Sequence, residues 1–374
     1  MFESKLNANK VWSHHLFIIA GGGTGGHLFP GIAIAIELKR RFEKSDILFV
    51  VGQKRMNQEI LSSYGFISTS IDVEGLKGRG LLNGMTGLWK IPKSLLQSML
   101  IIRKTSPCMV IGMGGYSSGP ICMAAKLMGI GTAIHEQNSY PGVTNRMLSR
   151  FVDRVFISFE DSRTYLKSKK IFLTGNPVRD ELLSKAAIEK KGTDGFTILV
   201  IGGSQGAKAI NDAFLDALSL IRKAGRNPRI IHQSGAMDYE RLIREYKERN
   251  LHGDVMPFIQ DMAAAYNSAD IIVSRAGATT IFEMAALGKP SVLIPYPYAT
   301  NQHQEINARS LVSAGGAEMI LQKELDGETL SRVLTKYMDD RLMLKNMGKN
   351  AKRMAQPNAA KLIVDNLSEL ILNS

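Results

Sequence analysis

Two short stretches hold the side chains that could do chemistry. The first is Gly21-Gly22-Gly23-Thr24-Gly25-Gly26-His27, set between the apolar run Leu16 to Ala20 and a helical pattern from Ile32 to Arg41. Five glycines and one threonine let backbone N–H groups and a helix N-terminus approach an anion, usually a phosphate. His27 falls where the helix begins. The helix dipole favours a neutral imidazole there, which is the form a general base requires. The second stretch is Ser274-Arg275-Ala276-Gly277-Ala278-Thr279-Thr280-Ile281-Phe282-Glu283. It leaves a strand, turns at Gly277 and offers Thr279 and Thr280 at the start of a helix, with Glu283 one turn in. A carboxylate in that place can accept bonds from both hydroxyls of a ribose. By spacing alone a capping box is the commoner reading, with Thr280 as cap and Glu283 reaching back.

The first loop also satisfies G-x-G-x-x-G, which raises a dinucleotide cofactor. Such a site needs an acidic residue at the end of the second strand. Here that strand ends Phe49-Val50-Val51-Gly52-Gln53, without a carboxylate, and no Gly-Lys-Ser/Thr follows the loop to make a P-loop. No Asp-x-Asp pair lies beside a glycine turn, and Asp339-Asp340 sits in a polar helical region. No cofactor and no essential metal are therefore expected.

The elements that must position these residues alternate. Strand patterns occur at 16–20, 46–51, 109–112, 132–135, 154–158 and 170–175, with helical patterns between most of them. This predicts an α/β fold with a doubly wound parallel sheet. Gly175-Asn176-Pro177-Val178-Arg179 reads as a hinge. The pattern then restarts: strand 196–201 runs into Gly202-Gly203-Ser204-Gln205-Gly206-Ala207 and a helix, and further strands are predicted at 229–235, 255–259, 271–277, 291–297 and 318–321. The expectation is two Rossmann-like halves, residues 1–175 and 176–357, each with a glycine turn at the carboxyl end of its first strand, where such sheets bind ligands. Two facing halves would enclose a cleft that a hinge near residue 176 lets close. A final amphipathic helix is expected from Asn358 to Leu372.

The chain has 374 residues, 44% of them apolar and 22% charged, as in soluble globular proteins. No run of apolar residues is long enough to span a bilayer, and the N-terminus lacks the layout of a signal peptide. Two cysteines, Cys108 and Cys122, are too few for a disulfide framework, which fits a reducing cytoplasm. The net charge is +13, and no Asp or Glu occurs from Gly75 through His135. That suggests an anionic partner: nucleic acid, acidic lipid or a phosphorylated substrate. No helix-turn-helix, zinc or aromatic single-strand pattern supports nucleic acid.

Nine segments occur in one order: GGGTGGHLFPG (21–31), GMGGYSSGP (112–120), HEQN (135–138), GNPVR (175–179), GGSQGA (202–207), HQSG (232–235), FIQDMAAAY (258–266), SRAGATTIFE (274–283) and a QHQEINA run (302–308). Together they resemble the bacterial MurG family of UDP-N-acetylglucosamine:lipid I N-acetylglucosaminyltransferases. The resemblance covers roughly residues 16 to 370. It implies a two-domain GT-B fold, with the last helix (358–374) packing back on the N-terminal domain. It also implies inverting transfer of N-acetylglucosamine to the 4-hydroxyl of the N-acetylmuramoyl group of lipid I, giving lipid II for peptidoglycan. The implied partners are UDP-N-acetylglucosamine, lipid I, an anionic membrane surface and other cell-wall synthesis proteins. The implied location is peripheral, on the cytoplasmic face of the inner membrane.

Carried over residue by residue, Thr24, Gly25 and Gly26 lie near the diphosphate and sugar, and Asn138 contacts the sugar. Arg179 and Ser204 serve the diphosphate side, Ile259 lies by the uracil, and Ala278, Thr279 and Thr280 line the nucleotide. Glu283 binds the ribose and Gln304 the sugar hydroxyls. His27 is the candidate base. Gly114, Gly115 and Tyr116 open a further glycine turn suited to the acceptor diphosphate. Leu81, Leu82, Met85, Leu88 and Trp89, among Lys90 and Lys93, suit an interfacial patch on anionic lipid, the alternative being a core helix with solvated ends. About fifteen residues before the first strand have no counterpart in the family. A different sugar-nucleotide enzyme of the same fold, such as another lipid glycosyltransferase or a UDP-N-acetylglucosamine 2-epimerase, is the competing reading.

Overall fold

The computed structural model describes residues 15–22, 25–53, 55–73, 81–186, 195–203 and 206–372, with the side chains at 55, 81–91, 185, 186 and 372 excepted. It divides into two units. Unit 1 takes the chain up to Arg179 together with the segment from Asn358, and unit 2 runs from Asp180 to Pro357.

In unit 1 the order is β1 (Leu16–Ala20), α1 (Gly25–Arg41), β2 (Asp46–Val51), α2 (Arg55–Ser63), β3 (Ile67–Ser70), α3 (Leu81–Thr105), β4 (Met109–Gly112), α4 (Ser118–Leu127), β5 (Gly131–Glu136), α5 (Val143–Leu148), β6 (Arg154–Ile157) and β7 (Ile171–Leu173). The strands form one parallel sheet in the order β3-β2-β1-β4-β5-β6-β7. Successive strand residues face opposite sides, so one apolar strand feeds two cores. Leu16, Ile18 and Ala20 pack with α3 and α4 through Ile101, Ile121 and Ala124. Phe17 and Ile19 pack with Leu28, Ile32 and Leu38 of α1 on the other side.

Unit 2 continues with α6 (Asp180–Ala186), β8 (Thr197–Ile201), α7 (Lys208–Lys223), β9 (Arg229–Gln233), α8 (Tyr239–Glu248), β10 (Asp254–Met256), α9 (Met262–Ser268), β11 (Ile271–Ser274), α10 (Ala278–Leu287), β12 (Ser291–Leu293), α11 (His303–Ser313), β13 (Ala317–Met319), α12 (Gly327–Asp339) and α13 (Arg341–Arg353). Its parallel sheet runs β10-β9-β8-β11-β12-β13. The chain then returns to unit 1 as α14 (Ala359–Leu372), whose Ile363, Val364 and Leu367 join the core beneath α1. Arg41 of α1 pairs with Asp365 at 3.4 Å.

The doubly wound architecture of both sheets bears out the α/β reading. Three details differ from the sequence expectations. Strand β3 was not anticipated, because Ile67-Ser68-Thr69-Ser70 carries little apolar pattern and needs only one neighbour, β2. Several strands end sooner than their apolar runs: β10 stops at Met256 before Pro257, which has no N–H to continue the ladder. Helix α1 starts at Gly25, two residues before His27, so the last two loop glycines lie with His27 in its first turn.

Candidate functional site

In each sheet the strand order reverses at one place, between β1 and β4 in unit 1 and between β8 and β11 in unit 2. Chain connections leave to opposite sides there and open a crevice at the carboxyl ends of the strands. All the glycine turns of interest lie at these two places.

In unit 1 the turn after β1 and the turn after β4 come together. A Cβ on Gly21 would lie 2.6 Å from Met113 Cβ, and one on Gly115 would lie 2.8 Å from the Gly22 carbonyl oxygen. Gly114 and Gly115 also have φ of +91° and +78°, which side-chain-bearing residues rarely adopt. The close approach brings the first turn of α1 over the second turn, so that His27 rests on Gly114 and Gly115. Its Nδ1 lies 2.7 Å from Gln137 Oε1. The Gln137 amide is buried just beyond β5, where Nε2 is 3.0 Å from Met113 O and 3.0 Å from His135 Nδ1. His135 is wholly buried, with Nε2 3.1 Å from Gly175 O, and burial pushes its pKa down to about 4.

The neighbouring carboxylate of Glu136 is buried too, and four donors meet it. Asn138 N and Nδ2 donate to Oε1, while Gly142 N and Asn145 Nδ2 donate to Oε2. Glu136 thus shapes the loop that carries Asn138. Arg179 closes unit 1, with its guanidinium 4.2 Å from the centroid of Phe29 on α1.

In unit 2, β8 runs into Gly202 and Gly203, and Gly206 precedes α7. A Cβ on Gly206 would lie 2.1 Å from Ser234 O, so only glycine fits against the chain leaving β9. Gln233, at the end of β9, donates to Gly203 O at 2.8 Å and accepts from Ile259 N at 3.0 Å. One buried amide therefore ties the glycine loop to Ile259. Helix α10 begins at Ala278 with Gly277 as its N-cap residue, which puts Thr280 inside the first turn. The capping-box reading of Glu283 fails for that reason: the helix starts too early for Thr280 to cap. Glu283 is instead buried in the second turn, where Tyr266 on α9 donates to its Oε2 at 3.0 Å. Ala278 is buried, and Thr279 and Thr280 are partly exposed at the helix N-terminus.

Gln304, in the first turn of α11, accepts from Tyr296 N at 3.0 Å. The chain enters α11 through Asn301 and Gln302, both left-handed at φ +55° and +53°. Arg275 fixes the other end of this loop by donating to Ile294 O, Pro295 O and Gln322 Oε1.

Unit 1 therefore gathers Gly25, Gly26, His27, Gly114, Gly115 and Asn138, with Tyr116 exposed beside them. In unit 2, Ala278, Thr279, Thr280 and Glu283 share the first turns of α10, Ile259 is tied through Gln233 to the Gly203 loop, and Gln304 stands at the start of α11. Thr24 and Ser204 lie outside the described residues, as do the side chains of Leu81, Leu82, Met85, Leu88, Trp89 and Lys90. Lys93 is exposed and pairs with Asp72 at 2.8 Å. Asp339 and Asp340 serve other ends: the first pairs with Arg226, and the second caps α13 by accepting from Met343 N. Among the described residues no group of three or more His, Cys, Asp or Glu is placed to hold a metal ion, and no helix is long and apolar enough to cross a membrane. The residues that sequence reasoning missed are Gln137, Glu136, Gln233 and Tyr266. The first three share a signal, a polar side chain at the carboxyl end of a buried parallel strand.

Residues 17–157 match the glycosyltransferase family 28 N-terminal domain, and residues 197–363 match the family 28 C-terminal domain. A curated UDP-N-acetylglucosamine–N-acetylmuramyl-(pentapeptide) pyrophosphoryl-undecaprenol N-acetylglucosamine transferase from Syntrophus aciditrophicus is 48% identical, over 95% of this chain and 98% of its own length. The protein of the same name from Geobacter sulfurreducens is 44% identical, over 94% and 97%. The crystal structure of Acinetobacter baumannii MurG superposes with a TM-score of 0.77 at 34% identity, covering 95% of this chain and 99% of that one. A putative UDP-N-acetylglucosamine 2-epimerase from Listeria monocytogenes, at 13% identity and a TM-score of 0.70, shares the fold. With both domain models matched and such relatives along nearly its whole length, the chain belongs to glycosyltransferase family 28 and, within it, to the MurG family.

Proposed function

We propose that this chain transfers N-acetylglucosamine from UDP-N-acetylglucosamine to the 4-hydroxyl of the N-acetylmuramoyl group of lipid I, giving lipid II with inversion at the anomeric carbon. The observation that carries the reading is His27, in the first turn of α1 and resting on Gly114 and Gly115 at the crevice of the unit 1 sheet. Family membership supplies the substrates. His27 takes the proton of the acceptor hydroxyl as that oxygen bonds to C1 of the sugar. The bond from C1 to the phosphate oxygen breaks, and its electron pair leaves with UDP. Entry from the face opposite UDP inverts the centre.

Unit 2 holds the donor nucleotide. Ile259 lies by the uracil, Glu283 accepts from the ribose hydroxyls, and Ala278, Thr279 and Thr280 line the nucleotide. Gln304 binds the sugar hydroxyls. Thr24, Gly25, Gly26, Asn138, Arg179 and Ser204 complete the sugar and diphosphate contacts, and Gly114, Gly115 and Tyr116 receive the acceptor diphosphate. Loop N–H groups and the N-terminus of α10 offset charge on the departing UDP without reorganising. That source of stabilisation calls for no divalent ion, so transfer is expected to survive a chelator. The apolar and basic residues at the start of α3 bring the enzyme to an anionic membrane surface, where a polyprenyl-linked acceptor resides.

The test is transfer of labelled sugar to a short-chain lipid I analogue, with UDP release followed in parallel. A lipid II-like product is expected. Epimerised sugar, or UDP release without a disaccharide product, would overturn the reading in favour of another sugar-nucleotide reaction.

A further inference from the structure

Between His27 and the segment that leads to unit 2 runs a chain of three hydrogen bonds, with a branch from Gln137 to Met113 O, and the carbonyls at its ends permit only one arrangement of protons. Met113 O is a carbonyl and can only accept, so the Gln137 group 3.0 Å from it must be the amide NH2. The second proton of that NH2 is shared between His135 Nδ1 at 3.0 Å and His135 O at 3.2 Å, and since an amide NH2 cannot accept, His135 Nδ1 carries a lone pair. A neutral imidazole with a bare Nδ1 has its proton on Nε2, and His135 Nε2 faces another pure acceptor, Gly175 O, at 3.1 Å. Ser158 Oγ lies 3.4 Å from the same nitrogen, but its proton goes to Glu136 O at 2.9 Å. With NH2 committed, Gln137 presents only Oε1 to His27, and at 2.7 Å the partner Nδ1 must donate.

We infer that Gln137 and His135 are positioning residues that hold His27 in one tautomer, with its proton on Nδ1 and its lone pair on Nε2. The role rests on the assignment of His27 as the base. A base must present a bare nitrogen to the hydroxyl it deprotonates, and an imidazole free to exchange tautomers presents Nε2 only part of the time. Gln137 suits the task because it accepts at one end and donates twice at the other. A carboxylate in its place would attract the imidazolium and lose both donors, to Met113 O and to His135. His135 works as the second anchor because burial keeps it neutral well below physiological pH, so the chain does not break as pH falls toward 5. The sheet supplies the register. Gly112 of β4 lies beside Ile134 of β5, which places Met113 O and Gln137 on adjacent strand ends.

The experiment is two-bond 15N–1H correlation on 15N-histidine-labelled protein, with the His27 signals assigned by their loss in His27→Ala. The wild type should show a proton on His27 Nδ1 and a bare Nε2, and the reverse pattern or an even mixture would overturn the inference. Gln137→Leu, close in volume, should let the tautomers mix and lower kcat about tenfold or more, with KM for UDP-N-acetylglucosamine within about twofold. A role in folding alone would lower melting temperature without mixing tautomers. His135→Leu leaves Gln137 held by Met113 O and should cost less in kcat than Gln137→Leu; the opposite order would also overturn the inference. If the wild-type spectrum is as expected but His27→Ala turns over normally, the base assignment has failed while the proton arrangement stands, so the two failures are told apart.

Discussion

A Cβ built on Gly114 would lie 3.1 Å from Cε1 and 3.3 Å from Nδ1 of His27, so this glycine is the floor on which the imidazole rests. The backbone at φ +91° adds a second reason for glycine. Gly114→Ala is expected to cost about 1–2 kcal/mol of stability through the positive φ. By displacing the imidazole it should also lower kcat about a hundredfold. Affinity for UDP should fall much less than kcat, because the uracil and ribose contacts, Ile259 and Glu283, belong to the other unit. Steady-state kinetics beside a UDP titration separates these effects.

Removing the imidazole is the more direct intervention. His27→Ala should lower kcat by about 10²–10⁴, the usual contribution of a positioned general base, with KM for the donor little changed. Near-normal turnover in this variant would end the assignment.

Glu283 and Tyr266 give a prediction about the nucleotide. A hydrogen bond to a charged group contributes about 1.5–3 kcal/mol, so Glu283→Gln should weaken UDP binding about tenfold to a hundredfold. Tyr266→Phe removes only the bond that orients the carboxylate and should weaken it less. Calorimetric titration with UDP and with 2′-deoxy-UDP identifies the contact. The wild type should prefer UDP, and Glu283→Gln should prefer it much less.

Two buried histidines set a pH dependence of stability. Burial lowers the pKa of His135 to about 4 and that of His232 to about 3, from an ordinary 6.5. Above 6.5 both are neutral in folded and unfolded chains alike and contribute no slope. Below it the unfolded chain binds protons that the folded chain refuses, so stability falls with pH by about 1.4 kcal/mol per unit for each group. The loss should begin near pH 6.5 and continue to about pH 4 for His135 and about pH 3 for His232, and its upper part, down to about pH 5, lies above the range where carboxylates respond. Urea unfolding at stepped pH should show a shallower slope in His232→Gln than in the wild type.

The apolar and basic segment at the start of α3 predicts binding to vesicles containing anionic lipid. Binding should weaken markedly as salt is raised from about 0.05 to 0.5 M, because screening shortens the reach of each lysine. Cosedimentation measures it, and equal binding to neutral vesicles would contradict an electrostatic patch.

Much of this was legible in the chain. The glycine turns announced themselves because no ordinary strand-to-helix connection needs so many glycines, and the apolar runs gave most strand positions within a residue or two. Glu283 was not legible from spacing, since a helix beginning at Gly277 and one beginning at Thr280 leave the same string of letters. The N-cap at Gly277 rules out the cap at Thr280, and the burial of Glu283 against Tyr266 depends on how α9 packs. Gln137 stood in plain view in the HEQN segment, but its partners do not. Met113 and His27 meet it only because β1, β4 and β5 lie side by side, an order the sequence does not print. Gln233 is hidden in the same way, bonded to Gly203 and Ile259 across strands that only the assembled sheet makes neighbours.

Helix α14 has a consequence for how the protein is made. Ile363, Val364 and Leu367 complete the core under α1, yet they are synthesised after the whole of unit 2. Each such side chain contributes about 1.5–3 kcal/mol when buried. The unit translated first is thus the one finished last. Leu28, Ile32 and Leu38 wait at the ribosome with one wall of their core missing, while unit 2, built from one uninterrupted stretch, can close during synthesis. A chain halted near Pro357 would carry a whole unit 2 beside an open, sticky unit 1, and quality-control proteases should find it there.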